Sequence, residues 1–474
     1  MRLVEHITFL IVIFCLLSGC AGLPVADKTD QAFLSLKGAI KKDPQNPEAR
    51  MELARLYVAK YNETKNTDLL DAGIREAVQA ARLKPTFRDA HIFLVDALLL
   101  KPYPSMDESI IDELKRIQAE AIKQDPDFIR IERFIPYQYF SAFICYNKAL
   151  KEKKCLDMAV TELKEAIRLK PNLHSVHGML GNIYLEQGKE ELALFEAKEA
   201  VRLNSNSYGG HQLLGVLYSK KAYTDETCYD DEMIDLGIKE FKEAVRLNPD
   251  ESYPHGMLGY LYRCKGLYDL SVFESKEALH LSRGARTHQQ LGIAFDRKGE
   301  YNEAIREFNE ALRLNPNLVA IHGDLAREYF LLNRFDDSIA EAKKYLESSG
   351  RRSPADVTLY QYFSMKQTGE SGRARQLLED YVRDFKGKEW EFNLVQYLLG
   401  KISETDLVGK TRHRCDRAIM FFFIGHDFLV KGDKQKAIEY FQKTLDTNVF
   451  GFGAYTDART MLERLSKYSP SSAD

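Results

Sequence analysis

None of the short motifs on which common catalytic chemistries are built occurs in this sequence. Gly-x-Ser-x-Gly, which raises a nucleophilic serine on a strained turn, is missing, and so is His-Glu-x-x-His, which sets two zinc ligands on one helix face. The phosphate-cradling Gly-x-x-x-x-Gly-Lys-Ser/Thr and the dinucleotide-binding Gly-x-Gly-x-x-Gly are missing too. No residue stands out as catalytic, and neither an enzyme, a cofactor, a metal nor a small-molecule substrate is expected. An excess of one charge sign is also lacking. Lysine and arginine number 67 against 70 aspartates and glutamates, a net charge of −3, with no basic block. That argues against nucleic acid as a partner, since such binding needs a basic stripe interleaved with aromatics. Hydrophobic residues at 45% and charged residues at 29% are ordinary for a folded, water-soluble body.

Long apolar runs are missing with one exception. Residues Ile7 to Leu17 form an apolar stretch interrupted only by Thr8, preceded by Arg2 and followed by Leu17-Ser18-Gly19-Cys20. This run is too short to span a bilayer as a helix, which takes about 20 residues, but it has the length of the apolar part of a secretory signal. The Leu-Ser-Gly-Cys ending resembles the cleavage box of bacterial lipoproteins. That resemblance implies cleavage before Cys20, acylation of its thiol, and a mature chain tethered to a lipid membrane, durably so when more than one acyl chain is attached. Ala21, where an Asp is absent, resembles lipoproteins sorted to the outer membrane, facing the periplasm. An ordinary cleaved signal is the alternative. Residues 1–19 are thus expected to be a signal peptide and residues 20–29 a lipidated tether.

Cysteine is scarce. Of the seven, Cys15 falls in the signal and Cys20 at the anchor, leaving Cys145, Cys155, Cys228, Cys264 and Cys415. Their spacings match no common zinc or redox motif. A compartment outside the cytoplasm permits disulfides, and two pairs are candidates. Cys145 and Cys155 lie symmetrically about a turn near Leu150 to Lys153, and Cys228 and Cys264 lie at turns of neighbouring units. The alternative is that all five are thiols, and the odd number leaves at least one free.

What the sequence does have is a recurring phrase. His177-x-x-Leu180-Gly181-x-x-Tyr184 returns as His211-x-x-Leu214-Gly215-x-x-Tyr218, His255-x-x-Leu258-Gly259-x-x-Tyr262 and His288-x-x-Leu291-Gly292-x-x-Phe295. A second half repeats as well, most cleanly in Ala304, Phe308 and Ala311 followed by Pro316. Glycine inside a helix costs roughly 1 kcal/mol relative to alanine, so its recurrence implies a compensating close approach of helices. Pro85, Pro126, Pro171, Pro249 and Pro316 lack a backbone donor and end the helices before them. The landmark alanines Ala39, Ala80, Ala121, Ala166, Ala200, Ala244, Ala278 and Ala311, with Tyr345 next, set the register. The pattern resembles the tetratricopeptide repeat, a helix–turn–helix unit of about 34 residues. The resemblance implies an all-α superhelical solenoid of about ten such units, spanning residues 30–386. Insertions are expected at Asn62 to Asp71, Lys101 to Asp107 and Tyr223 to Asp235, and longer helices around Arg130 to Lys154. Beyond it, residues 387–466 read as a helix carrying Trp390, a linker from Lys401 to Thr411, a terminal repeat-like unit and a capping helix. Residues 467–474 read as a disordered tail.

One histidine per unit stands four residues before the landmark small residue: His91, His177, His211, His255, His288 and His322. Equivalent positions in stacked units lie at least a helix width apart, about 8–10 Å, too far for shared coordination at about 2 Å. These imidazoles are expected to fill space between helices.

Binding then falls to surfaces. Resemblance to tetratricopeptide proteins implies a groove lined by first helices, which carries over to Asn182, Gln212, Lys220, Tyr260, Arg263, Gln289, Arg297 and Arg327. Cationic and amide groups there suit an extended peptide with acidic groups, held by charge-assisted hydrogen bonds. The segment Phe423-Ile424-Gly425-x-x-Phe428, with Gly432-Asp433 and Ala437-x-x-x-Phe441, resembles the end of outer-membrane adaptors of the new-lipoprotein-I type. The expected function is a lipid-anchored periplasmic scaffold that binds envelope proteins or peptides. A pilotin-like assembly factor for a secretin, pilus or exopolysaccharide export machine is the alternative.

Overall fold

The computed structural model of the protein describes residues 25–101, 106–130, 135–149, 154–223, 229–349, 355–384, 389–411 and 413–467. The signal segment, the lipidation site Cys20, Cys228 and residues 468–474 lie outside them. Every regular element among the described residues is helical, and the contacts divide the chain into two compact units, Met1–Ser205 and Asn206–Asp474.

In the first unit the helices are α1 (Val25–Lys42), α2 (Pro47–Thr64), α3 (Thr67–Leu83), α4 (Arg88–Leu99), α5 (Glu108–Gln124), α6 (Tyr137–Ala149), α7 (Lys154–Leu169), α8 (His174–Glu186) and α9 (Glu190–Leu203). The second unit holds α10 (Tyr208–Ala222), α11 (Asp231–Leu247), α12 (Ser252–Cys264), α13 (Tyr268–Leu281), α14 (Ala285–Lys298), α15 (Tyr301–Leu314), α16 (Ala320–Leu331) and α17 (Phe335–Ser349). It continues with α18 (Ala355–Gln367), α19 (Ser371–Asp384), α20 (Glu389–Leu398), α21 (Glu404–Lys410), α22 (Arg414–Val430), α23 (Lys434–Asp446) and α24 (Gly453–Lys467).

The pair α14–α15 shows how sequence dictates the repeat. Gly299 between the helices has φ +92°, a left-handed turn that glycine adopts without steric cost. Along α15, Ala304, Ile305, Phe308 and Ala311 form one buried stripe, the spacing of a 3.6-residue helix. The opposite face carries Glu303–Arg306 and Glu310–Arg313 pairs in solvent. Asn315 caps the helix immediately before Pro316. The ring of Phe308 lies where a Cβ on Gly292 would be, 2.7 Å away, so the landmark glycine is the hollow into which the next helix sets its aromatic. Fully burying such a ring contributes about 1.5–3 kcal/mol.

Two expectations change. Instead of an inserted loop at residues 62–71, α2 runs on to Thr64, Lys65 turns left-handed at φ 56°, and α3 begins at Thr67 under an Asn66 cap. The extra residues lengthen both helices. Around residues 130–154 a 3-10 turn at Pro126–Arg130 buries Phe128 and α6 follows, while residues 131–134 and 150–153 lie outside the described residues. The supposed linker at 401–411 contains α21, opened by a reciprocal cap between Ser403 and Asp406 and anchored by buried Leu407. Its polar spelling conceals a small apolar face, Leu407 with Val408 and Ile402 packed on the same core, which is enough when caps satisfy the helix end.

The cysteines also depart from expectation. Cys145, Cys155 and Cys264 are in no disulfide, so neither expected pair forms, while Cys415 is disulfide-bonded. Spacing fixes the height of two residues on a hairpin, but bonding also needs Cβ vectors that face each other. Cys264 is instead buried beside the hydroxyls of Tyr229 and Tyr260, and burial pushes its thiol pKa up.

Candidate peptide-binding groove

Within the second unit, α12, α14, α16 and α18 present residues to a common occupant, and that occupant is the chain's own C-terminal segment. Arg263 on α12 and Arg297 on α14 both donate to the carbonyl of Gly451, at 3.3 and 3.1 Å. Tyr268 donates to the carbonyl of Phe450 at 3.1 Å. Farther along, Thr456 and Arg459 of α24 donate to the last carbonyls of α14, at Arg297 and Lys298. Those carbonyls have no partner inside their own helix, which makes them natural docking points. Tyr301 meets Thr460 at 2.6 Å, and Arg464 donates to the carbonyl of Leu331 at the end of α16.

Two glycines let the segment come this close. A Cβ on Gly451 would lie 2.6 Å from the Tyr229 hydroxyl, and one on Gly453 would lie 2.7 Å from Cζ of Arg327. Both distances are shorter than real Cβ contacts, so any other side chain there would force the segment, Tyr229 or Arg327 to shift.

At its centre Arg327 donates to Asp457 at 2.8 and 2.7 Å and to both oxygens of Asp296 at 2.7 Å. Tyr360 on α18 donates to the same Asp457 at 3.2 Å. Although burial works against it, the carboxylates of Asp457 and Glu328 hold the Arg327 guanidinium well above its usual pKa. Burial and the neighbouring Arg327 and Arg263 push Arg297 down to about 10. Burial raises Glu328 to about 8, and its carboxyl accepts from Nη1 of Arg327 at 3.3 Å. The cluster sets the guanidiniums of Arg297 and Arg327 among the carboxyl groups of Asp296, Asp324, Glu328 and Asp457, the pairing that buried charges require.

The other sequence-derived groove residues are placed as follows. Tyr260 is half-buried and stacked under the Arg263 guanidinium, 5.1 Å from its ring centre. Both border a cavity of about 230 Å³ shared with Gln290 and Ile293. Gln289 and Gln212 are half-buried, Lys220 is exposed, and Asn182, in the first unit, is half-buried. Sequence reasoning named Arg297 and Arg327 but not what faces them. The only hint was the Gly451-Phe452-Gly453 spelling before a helix.

The histidine ladder proved to be a set of clamps. Nδ1 of His177, His255, His288 and His322 donates to Glu196, Glu274, Glu307 and Glu341 at 2.6–2.7 Å, each 19 residues onward. His211 reaches Glu240 at 2.6 Å across 29 residues, the inserted segment accounting for the longer step. Each clamp ties the first helix of a repeat to its second. Nε2 of His177 also faces the carbonyl of Pro171 at 3.2 Å, so both ring nitrogens meet acceptors, and the hydrogen bond to Glu196 raises its pKa. His91 differs: it bonds the Tyr137 hydroxyl and the Pro85 carbonyl, and burial lowers its pKa to about 4. The glutamate spacing was present in the sequence and unread. Among the described residues no cluster of side chains is arranged to hold a metal, and no helix is long and apolar enough to cross a membrane.

Residues 174–207 and 285–318 each match a family profile described as tetratricopeptide repeat. No curated protein matches the chain. Among solved structures it is similar to PilF of Pseudomonas aeruginosa, with 17% identity over 48% of this chain and 97% of that one and a TM-score of 0.39. PilW, described as a widely conserved type IV pilus biogenesis factor, gives 18% identity over 47% and 97%, with a TM-score of 0.41. MamA gives 23% over 36% and 95%, with a TM-score of 0.31. Residues 174–207 and 285–318 are thus tetratricopeptide repeats, set in a series of helix pairs.

Proposed function

We propose that the protein is a non-catalytic scaffold of the bacterial envelope, anchored through acylated Cys20 at the outer membrane and gathering envelope proteins along the first-helix faces of its repeats. The observation that carries this reading is that the second unit already holds a peptide segment. Arg263, Arg297 and Tyr268 grip backbone carbonyls, an interaction available to any partner segment whatever its side chains, while Arg327 selects a carboxylate. Repeats of this kind present rigid surfaces rather than mobile catalytic loops.

Affinity capture from detergent-solubilised envelopes tests the scaffold. Wild type is compared with a Gln212→Ala/Lys220→Glu variant, which leaves the arginine cluster intact and is expected to lose a defined subset of partners. Retention of every partner would reject the assignment of that face. Captured proteases or cell-wall hydrolases would mark an adaptor, and captured secretin, pilus or export components an assembly factor. Separately, Cys20→Ser should move the protein from the membrane fraction to the soluble one; unchanged membrane association would reject the anchor.

A further inference from the structure

The segment at residues 449–467 meets its surroundings in two ways. Toward α22 and α23 it is apolar, with Ala454 and Ala458 buried and Met461, Leu462 and Leu465 packed on the same core. Toward α12, α14 and α16 it makes hydrogen bonds, Gly451 to Arg263 and Arg297, Thr456 and Arg459 to helix-end carbonyls, Asp457 to Arg327, beside two ring contacts, Phe450 over Gly266 and Phe452 with Tyr229. A polar seat of this sort can be exchanged for an equivalent one at little net change, because each group released finds the same partner chemistry in the incoming chain. The seat is also incompletely used. Arg263 is paired with no carboxylate among the described residues and receives from the strap only a carbonyl that it shares with Arg297. A cavity of about 230 Å³, bordered by Tyr260, Arg263 and Gln290, lies open beside it.

We propose that residues 449–467 are an internal occupant that keeps this groove closed, and that a partner protein gains the groove by substituting its own acidic segment for the strap. The inference rests on the scaffold reading and deepens it by naming the ligand class. The incoming segment carries a glycine where Gly453 now lies, because a Cβ there collides with Arg327, and an aspartate four residues later, where Asp457 meets Arg327 and Tyr360. A further carboxylate reaching Arg263 would convert a neutral contact into a charge-assisted one, roughly twice as strong.

The test uses the full chain and a fluorescent synthetic peptide of residues 449–467. Asp457→Asn in the protein loosens the internal occupant and should tighten peptide binding about tenfold or more over wild type, whereas the same substitution in the peptide should abolish binding. One substitution thus acts with opposite sign on the two sides of the exchange, which a merely structural contact does not produce. Hydrogen exchange on wild type supplies a second measurement that needs no variant: amides of α24 should exchange faster than those of α22, through local opening. Equal protection of α24 and α22, or a peptide that binds neither protein or binds both alike, would overturn the proposal. If exchange fails while envelope proteins are still captured, the latch falls and the scaffold stands; if capture fails as well, both fall.

Discussion

Arg327 and Asp457 lie 130 positions apart in the chain and meet in a two-pronged hydrogen bond, Nε and Nη2 each reaching a carboxylate oxygen, with side-chain exposures of 8% and 0%. The pair joins the middle of a repeat array to its last helix. Breaking a buried pair from one side strands the other charge, at a cost of about 3–5 kcal/mol. Asp457→Asn and Arg327→Gln should each destabilise the second unit by that order. The double variant should lose less than the sum, with a coupling of about 0.5–3 kcal/mol. Urea unfolding followed through Trp390, the single tryptophan, which lies in the core shared with α18 and α22, reads both. Strict additivity would show that the two residues do not act together.

Two buried helical glycines should respond to alanine in opposite directions. At Gly292 the new Cβ would sit 2.7 Å from the Phe308 ring, whereas at Gly178 nothing lies within 4 Å. Gly292→Ala should therefore cost about 1–3 kcal/mol through overpacking. Gly178→Ala should gain up to about 1 kcal/mol from helix propensity. Thermal unfolding of the two variants checks the contrast, and the same sign at both sites would refute the packing account.

Two buried groups predict opposite pH dependences. Glu328 has its pKa pushed up by burial from 4.5 to about 8, so the stability it contributes is complete below 4.5 and is lost as pH rises toward 8. Glu328→Gln, which keeps the shape without the charge, should become steadily more stable than wild type over that range, by at most roughly 1.4 kcal/mol per pH unit. His426 is pushed down by burial, with Arg464 adding to it, from 6.5 to about 3. Its contribution is present above 6.5 and is lost as pH falls toward 3. His426→Phe, in a site already edge-on to Phe422 at 4.6 Å, should flatten that acid limb. Urea midpoints measured against pH decide each case, and slopes parallel to wild type would remove the assignment.

Thiol chemistry separates the cysteines. Alkylation of unfolded, unreduced protein should modify Cys145, Cys155 and Cys264, which are in no disulfide, and leave Cys415 unmodified until a reductant is added. Mass spectrometry of the peptides gives the pattern. Reduction should also lower stability by about 2–4 kcal/mol, the usual contribution of a native disulfide.

Much of the repeat was legible because it is written locally. Gly292, Phe308 and Ala311 announce their helices by spacing alone, and Pro316 announces the end, since each acts within its own helix pair. The role of the histidines as helix-to-helix filler was legible for the same reason. Their glutamate partners went unread although His255 and Glu274 differ from His288 and Glu307 only by register. The helix at 404–410 was hidden because its apolar residues, Leu407 and Val408, are adjacent and give no periodicity to detect.

The order of residues by itself determined that this protein is a series of paired helices, because the small, large and helix-ending positions recur within each unit and act over a few turns. Only the tertiary structure decided what lies in the groove. Arg263, Arg297 and Arg327 could be placed on one face by the tetratricopeptide resemblance, but their partners Gly451 and Asp457 come from far along the chain. No local rule relates positions so distant, whose meeting depends on how every intervening helix pair is stacked.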